Sequence, residues 1–407
     1  MQIVRNIFVI LIIIICSAAV LGGLFWADTS FVNQVNSGTE FIIPWKAAQN
    51  FMLDGKSPYS VETSRSIQEL IATKAQRQSK NLFHVDMPLF ILMFFFPLSS
   101  IIDLNLARAI WMVVLEIALG IVIIVSLKLN RWKPGLLILI FITIFSVFWL
   151  PTINMLQLGS SLILQACLFL LALRSLELGY DELAGFLCAF CLVNLEATAL
   201  VLIILVVWAV SSHRWRFFNG LIMTLTILII LSLILDYSWM VPFAGSLISK
   251  WQNGTQVSTF SLLEYWMPGI GYKLAQILSV TVLALFLLEL RAVRGQEVRW
   301  LFWTTCLGIA AAPLMGFSYL PAWAVFSLPA VLLIFSVMIQ RWRLPGLIGA
   351  LTVGLVLTGG LWYALVFRHN SIFILFYPVL LTLLLYWIRW GAVRPPKLWV
   401  DEINARV

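Results

Sequence analysis

The chain has 407 residues, 62% of them hydrophobic and 11% charged, with a net charge of +8 and a mean hydropathy of +1.00. A water-soluble globule carries about 25% charged residues, so this composition excludes a soluble enzyme and indicates an all-α polytopic membrane protein. The basic residues fall in short clusters between apolar runs, the pattern that orients membrane loops and not one that grips nucleic acid.

In chain order, the first apolar run covers about 7–25, preceded only by Arg5 and followed by no Ala-x-Ala pattern. It is expected to stay as a span over 6–26 with its N-terminus inside. Segment 27–86 is the longest non-spanning stretch and is expected outside as an amphipathic loop. A short apolar run at 87–98 leads to spans expected near 106–127, 134–150, 156–173 and 181–210. The stretch 181–210 reads either as one tilted span or as two half-helices meeting near Asn194 and Glu196. Further spans are expected near 217–235, 270–290, 300–316, 319–339, 344–366 and 371–388, about 11–13 in all. A second long loop, 236–269, is expected on the outer face, and the whole of 1–407 is read as a single membrane domain.

The basic clusters HRWR, RAVRGQEVR, RWR and RWGAVRPPK all belong inside by the positive-inside rule. The turn KLNRWK, 128–133, conflicts with this if 87–98 is a full span. It falls inside if that run is re-entrant or if 181–210 is broken.

Within the outer segment, GTEFIIPWKAAQNFMLDGKSPYS, 38–60, carries the most organised chemistry. Pro44 is placed for a helix start and Gly55 for its end. Trp45, Ala48 and Met52 would share one face, with Lys46, Gln49 and Asn50 turned away, as in a helix lying at a membrane interface. A second helix is expected over 67–78, with Ser66 and Glu69 at capping-box spacing. His84 and Asp86 then stand at the lip of the next apolar run. One loop therefore supplies Glu40, Asp86, a histidine and several cations. Asp103 fits the cap of the following helix, and Glu116 is an intramembrane acid, a class that is functional or buried against a partner. Of the five cysteines, Cys188 and Cys191 have a metal-like spacing but lie in an apolar run, which favours packing.

EFIIPWKAAQNFMLDGKSPY, FHVDMPLFILMFFFPLSS and LPTINMLQLGSSL together resemble glycosyltransferase family 87, membrane enzymes of the C-type superfamily that use polyprenyl-phosphate sugars. The resemblance implies the C-type glycosyltransferase fold, a multi-pass plasma-membrane location and an extracytoplasmic active site. The implied reaction moves a sugar such as mannose from a polyprenyl-phosphate donor to a hydroxyl of a lipid or glycan, with inversion. It requires no cofactor and no metal. The family's acidic residue falls on Glu40, the expected general base, and its Gly-Gln pair on Gly159-Ser160 with Gln157 nearby. A basic residue of the family's broken helix corresponds here to Glu196. Lys46, Lys56 and His84 are the expected phosphate contacts, and Asp86, Tyr59 and Trp266, with Trp45, the expected sugar or lipid contacts. A polytopic transporter or flippase for a lipid-linked solute is the alternative from another class.

Overall fold

The computed structural model describes residues 2–34, 37–71, 83, 85–193, 195–253, 259–317, 321–360 and 372–393. Among the described residues all regular structure is helical. The first half comprises α1 (Gln2–Gln34), α2 (Thr39–Asp54), α3 (Val61–Ile71), α4 (Leu89–Leu92), α5 (Phe96–Ser99), α6 (Leu104–Leu129), α7 (Leu136–Phe148), α8 (Leu150–Leu158) and α9 (Leu162–Glu177). The second half comprises α10 (Asp181–Phe190), α11 (Leu195–Ser211), α12 (Trp215–Leu235), α13 (Met240–Asn253), α14 (Thr259–Trp266), α15 (Gly271–Ala292), α16 (Val298–Ala311), α17 (Leu328–Leu355) and α18 (Ile372–Val393).

Several of these helices are long and apolar enough to cross a bilayer: α6, α12, α15 and the stretch Ala324–Gly360, with the bent pair α7–α8 as a further candidate. A helix such as α6, at 26 residues, reaches roughly 39 Å, more than the ~30 Å hydrocarbon core. Ile222, Ile227, Ile230 and Ile234 on α12, and Ile277, Val280 and Leu288 on α15, are exposed. An apolar surface of that extent fits lipid as its solvent. Shorter apolar helices include 89–99, Thr198–Ser211, Val298–Ala311 and Phe376–Arg389.

The chain divides into two compact units. Unit 1 comprises Met1–Gly120, Asn154–Gln165 and Leu225–Gly254, and unit 2 comprises Ile121–Ile153, Ala166–Thr224 and Thr255–Val407.

In unit 1, α2 starts at Thr39 and not at Pro44, which lies inside the helix. Pro44 is the sixth residue of the helix, past the Ile42 amide that already bonds the Gly38 carbonyl, so its missing N–H removes one bond from the second turn. The left-handed Gly55 ends α2 as expected. The polar side of α2 is not turned out to water. Gln49 and Asn50 are buried, and the Asn50 amide donates to the Ser66 hydroxyl at 2.7 Å. The partner helix supplies the reason: α3 begins at Val61, six residues before the expected start. Its cap is Ser60, whose Oγ accepts the Thr63 amide at 3.2 Å. Ser66 is therefore inside the helix, where it donates to the Thr63 carbonyl at 2.8 Å; residues 72–78 of the expected second helix lie outside the described residues.

The run 89–99 is α4, a short 3-10 stretch and α5. It covers roughly 16 Å, about half a hydrocarbon core, so it does not make a full span. It seats α2 instead: the Trp45 indole donates to the Leu98 carbonyl at 3.0 Å, and Phe41, Phe95 and Trp111 cluster with centroids 5.0–6.3 Å apart. Each ring pair of this kind adds roughly 0.5–1.5 kcal/mol beyond burial of its area. Parts of the two long loops meet in this unit. Tyr59 packs on Phe243 at 5.9 Å, Phe90 on Trp239 at 6.1 Å, and the Ser246 hydroxyl donates to the Val85 carbonyl at 3.1 Å.

In unit 2 the basic turns gather at one end. Arg131 reaches Glu177 at 3.9 Å, and Arg174 pairs with the same carboxylate at 2.5 Å. Arg214 binds Asp181 at 2.7 Å and the Leu176 carbonyl at 3.0 Å. The Trp208 indole donates to the Gln296 carbonyl at 3.0 Å, and Trp342 stacks on Trp387 at 4.9 Å. KLNRWK thus joins the other basic clusters, and both features that allow it are present: the short 89–99 run, and a break between α10 and α11 at a 3-10 turn. The Thr198 hydroxyl bridges that break by donating to the Cys191 carbonyl at 2.8 Å.

Two close approaches define the rest of unit 2. At Arg343 (φ 48, ψ −115) α17 is not helical, and a Cβ on Gly354 would stand 3.6 Å from Phe335. The stretch Ala324–Gly360 is therefore a hairpin of two arms turning at RWRLPG, matching the separate expectations of 319–339 and 344–366. Helices α10 and α12 touch backbone to backbone. A Cβ on Gly185 would come 2.1 Å from the Phe217 carbonyl oxygen, and one on Gly220 would come 2.2 Å from the Glu182 carbonyl oxygen. Small residues permit this approach between helices in lipid.

Candidate functional site

The site in unit 1 is built where α2 begins. Gly38 holds φ +102, and a Cβ there would stand 2.6 Å from Arg108 Nε. Arg108 is buried on the first turns of α6. Asp103 starts that helix by accepting the Asn105 amide at 2.9 Å, as its position before an apolar run led one to expect. One guanidinium nitrogen of Arg108 donates to the Ser37 hydroxyl at 2.6 Å and to the Gln157 carbonyl at 3.2 Å. Ser37 in turn donates to the Gln157 carbonyl at 3.1 Å.

Gln157 ends at a left-handed turn. Gly159 has φ +69, and a Cβ there would stand 2.6 Å from Phe41 Cβ. The Trp111 indole fixes this turn by donating to the Gly159 carbonyl at 2.8 Å. The first and third motifs of the sequence, more than a hundred residues apart, are thereby locked together at Arg108. Glu40 stands in the first turn of α2, exposed.

The remaining expected residues are distributed as follows. Lys46 donates to Gln49 at 2.8 Å. Lys56 pairs with Glu62 at 3.2 Å, both side chains largely exposed, an arrangement of little energetic value that can exchange partners. The Tyr59 hydroxyl donates to the Met87 carbonyl at 2.9 Å. Burial, with Asp236 and Asp86 beside it, holds the Tyr59 phenol above its ordinary range. Asp86 is half-buried in the same unit. Trp45 is only 4% exposed and its N–H is taken by Leu98, so it is a packing residue and not a stacking platform. His84 lies outside the described residues, as does the Glu196 side chain, whose backbone is in the first turn of α11 in unit 2. Trp266, at the end of α14 in unit 2, is 38% exposed. In its helix Glu264 accepts the backbone amides of Gly269 at 2.9 Å and Tyr272 at 2.8 Å. These two bonds hold the Glu264 carboxyl below its usual range.

Arg108, Ser37 and Asp28 are not among the site residues that the sequence singles out. Asp28 is 5% exposed, burial pushes its carboxyl up to about 6, and it lies within electrostatic reach of Glu116. One oxygen of each carboxyl is buried without a hydrogen-bond partner among the described residues. A buried arginine at the head of an apolar helix was the available signal for the first of these. Among the described residues no group of three or more His, Cys, Asp or Glu is placed to hold a metal ion.

No protein-family model, no curated protein and no solved structure matches this chain. The likeness to glycosyltransferase family 87 rests on the three quoted stretches.

Proposed function

We propose that this chain transfers a sugar from a polyprenyl-phosphate donor to an acceptor hydroxyl. The observation that supports this reading is the joining of the Glu40 helix to the Gln157–Gly159 turn through Arg108. Residues singled out from distant stretches, for one chemistry, become neighbours in one unit.

In the proposed reaction Glu40 takes the acceptor proton, which requires its carboxylate within about 3 Å of the hydroxyl or one water away. The acceptor oxygen bonds to the anomeric carbon as the carbon–oxygen bond to phosphate breaks. The electron pair leaves with polyprenyl phosphate, and the anomeric configuration inverts. Lys46, Lys56 and His84 are the cations proposed for the departing phosphate, where negative charge develops. Asp86 and Tyr59 are proposed for the sugar, and Arg108 positions the start of α2 without touching substrate. The reading carries with it an active site on the outer face of the plasma membrane and the C-type glycosyltransferase fold.

The test uses the full chain in vesicles with a polyprenyl-phosphate sugar, followed by release of polyprenyl phosphate. Glu40→Gln should lower transfer at least about a hundredfold, with Glu40→Asp retaining part of it. Near wild-type turnover in Glu40→Gln rejects the base assignment.

The alternative reading, transport of a lipid-linked solute, is supported by the break between α10 and α11, since interrupted helices line solute sites in transporters. Passage of the donor lipid across the vesicle with its sugar–phosphate bond intact would select it.

A further inference from the structure

A second site lies in unit 2, among the basic turns. A pocket of about 290 Å³ is lined by Leu129 and Asn130 at the end of α6, by Glu297, Arg299, Phe302 and Trp303 at the start of α16, and by residues of α17 and α18 that include Arg389. Its wall is apolar on the α17 and α18 sides, with Leu333, Val337 and Ile388. Its polar atoms are unevenly matched. Asn130 is 7% and Trp303 9% exposed, yet the Asn130 amide nitrogen and the Trp303 indole nitrogen have no hydrogen-bond partner among the described residues. Both orphans are donors. Leaving a buried donor unmade costs roughly 1–3 kcal/mol, so two in one pocket call for an acceptor that the described residues do not supply.

The surrounding charges favour an anionic acceptor. Arg389 lies over the Trp303 ring at 4.9 Å and is held there by an ion pair with Glu289. Arg299 has no ion pair among the described residues. The N-terminus of α16 opens at Glu297 without a side-chain cap, which leaves its first amides to a ligand. Glu297 is the one carboxylate on the lining, and it is exposed, so it can turn to water.

We propose that this pocket binds a phosphate ester, with the phosphate oxygens accepting from Asn130, Trp303 and Arg299 and any acyl or prenyl portion against Leu333, Val337 and Ile388. The site is separate from the Glu40 region and does not depend on the transferase reading.

The experiment uses the full chain in detergent at about 0.15 M salt, where diffuse surface attraction is screened. Native mass spectrometry would compare retention of phosphatidylglycerol with that of phosphatidylcholine, with and without inorganic phosphate. Phosphatidylglycerol should be retained in preference. Arg299→Ala should weaken its retention about tenfold, the effect of one charge-assisted hydrogen bond. Trp303→Phe, which keeps the ring and removes the N–H, should weaken it severalfold, and Arg216→Ala, an exposed arginine outside the pocket, should leave it unchanged. Displacement by inorganic phosphate assigns the site to a free anion, and resistance to it assigns a lipid headgroup. Equal retention of the two lipids, or equal losses in Arg299→Ala and Arg216→Ala, overturns the proposal. Arg299 is on the surface, so that arm stands even where Trp303→Phe fails to fold.

Discussion

Gly38 and Arg108 are packed so tightly that a Cβ on the glycine would meet Nε at 2.6 Å, at a backbone φ of +102. An L-residue is disfavoured there twice, by its own backbone and by the guanidinium. Arg108 cannot retreat without releasing Ser37 and the Gln157 carbonyl.

Gly38→Ala should therefore lower stability by about 2–4 kcal/mol, combining a left-handed backbone cost with overpacking. Arg108→Lys keeps the charge but not the fork, and should loosen the junction between α2 and the Gln157 turn. Thermal melting in detergent checks the first. For the second, a transfer assay should show a fall in turnover with the pH profile of Glu40 unchanged, as suits a positioning residue.

The backbone contact of α10 with α12 gives a stability prediction remote from the site. Gly185→Ala and Gly220→Ala each insert a methyl about 2 Å from a carbonyl oxygen of the facing helix, where overpacking costs roughly 1–3 kcal/mol or more. Each should lower the melting temperature. Because both act on the same contact, the double variant should lose less than the sum of the two. Strict additivity in melting experiments would show that the helices do not meet there.

Asp28 predicts a pH dependence. Its carboxyl is raised from 3.8 to about 6 by burial, so between those values the folded chain holds a proton that the unfolded chain releases. Stability contributed by the protonated form is present below pH 4 and declines as pH rises through about 6. Asp28→Asn should flatten that part of the melting-temperature profile and raise the plateau above pH 6. A profile unchanged by the substitution would remove Asp28 as its source.

The grouping of basic turns in unit 2 predicts a labelling pattern. In a background without native cysteine, Arg131→Cys, Arg216→Cys and Arg299→Cys should all react with a charged, impermeant maleimide from the same side of a sealed vesicle. Reaction of the residue 131 variant from the opposite side would separate KLNRWK from the other basic clusters.

Some of this was readable in the chain itself. The membrane class followed from composition and the length of apolar runs. Gly55 and Asp103 were legible as caps because a left-handed residue or a short carboxylate is demanded by local backbone geometry. Residues 66 and 50 were misread because a serine three residues before a glutamate fits a cap as well as a helix interior. Only the earlier start at Ser60 distinguishes the two. The polar face of α2 looked solvent-exposed for a similar reason. Periodicity locates a polar face but does not say whether another helix will satisfy it.

The sequence by itself determined the helical class, the placement of apolar runs and several helix ends, since these depend on transfer free energy and on bonds between residues close in the chain. Tertiary structure alone decided that Arg108 binds Ser37 and the Gln157 carbonyl, that Asp28 comes near Glu116, and that Asn130 faces a pocket with Trp303. Those are contacts across long stretches of chain, and many residues of the same type compete for each of them. Only packing of the whole unit selects which polar group is buried and which finds a partner.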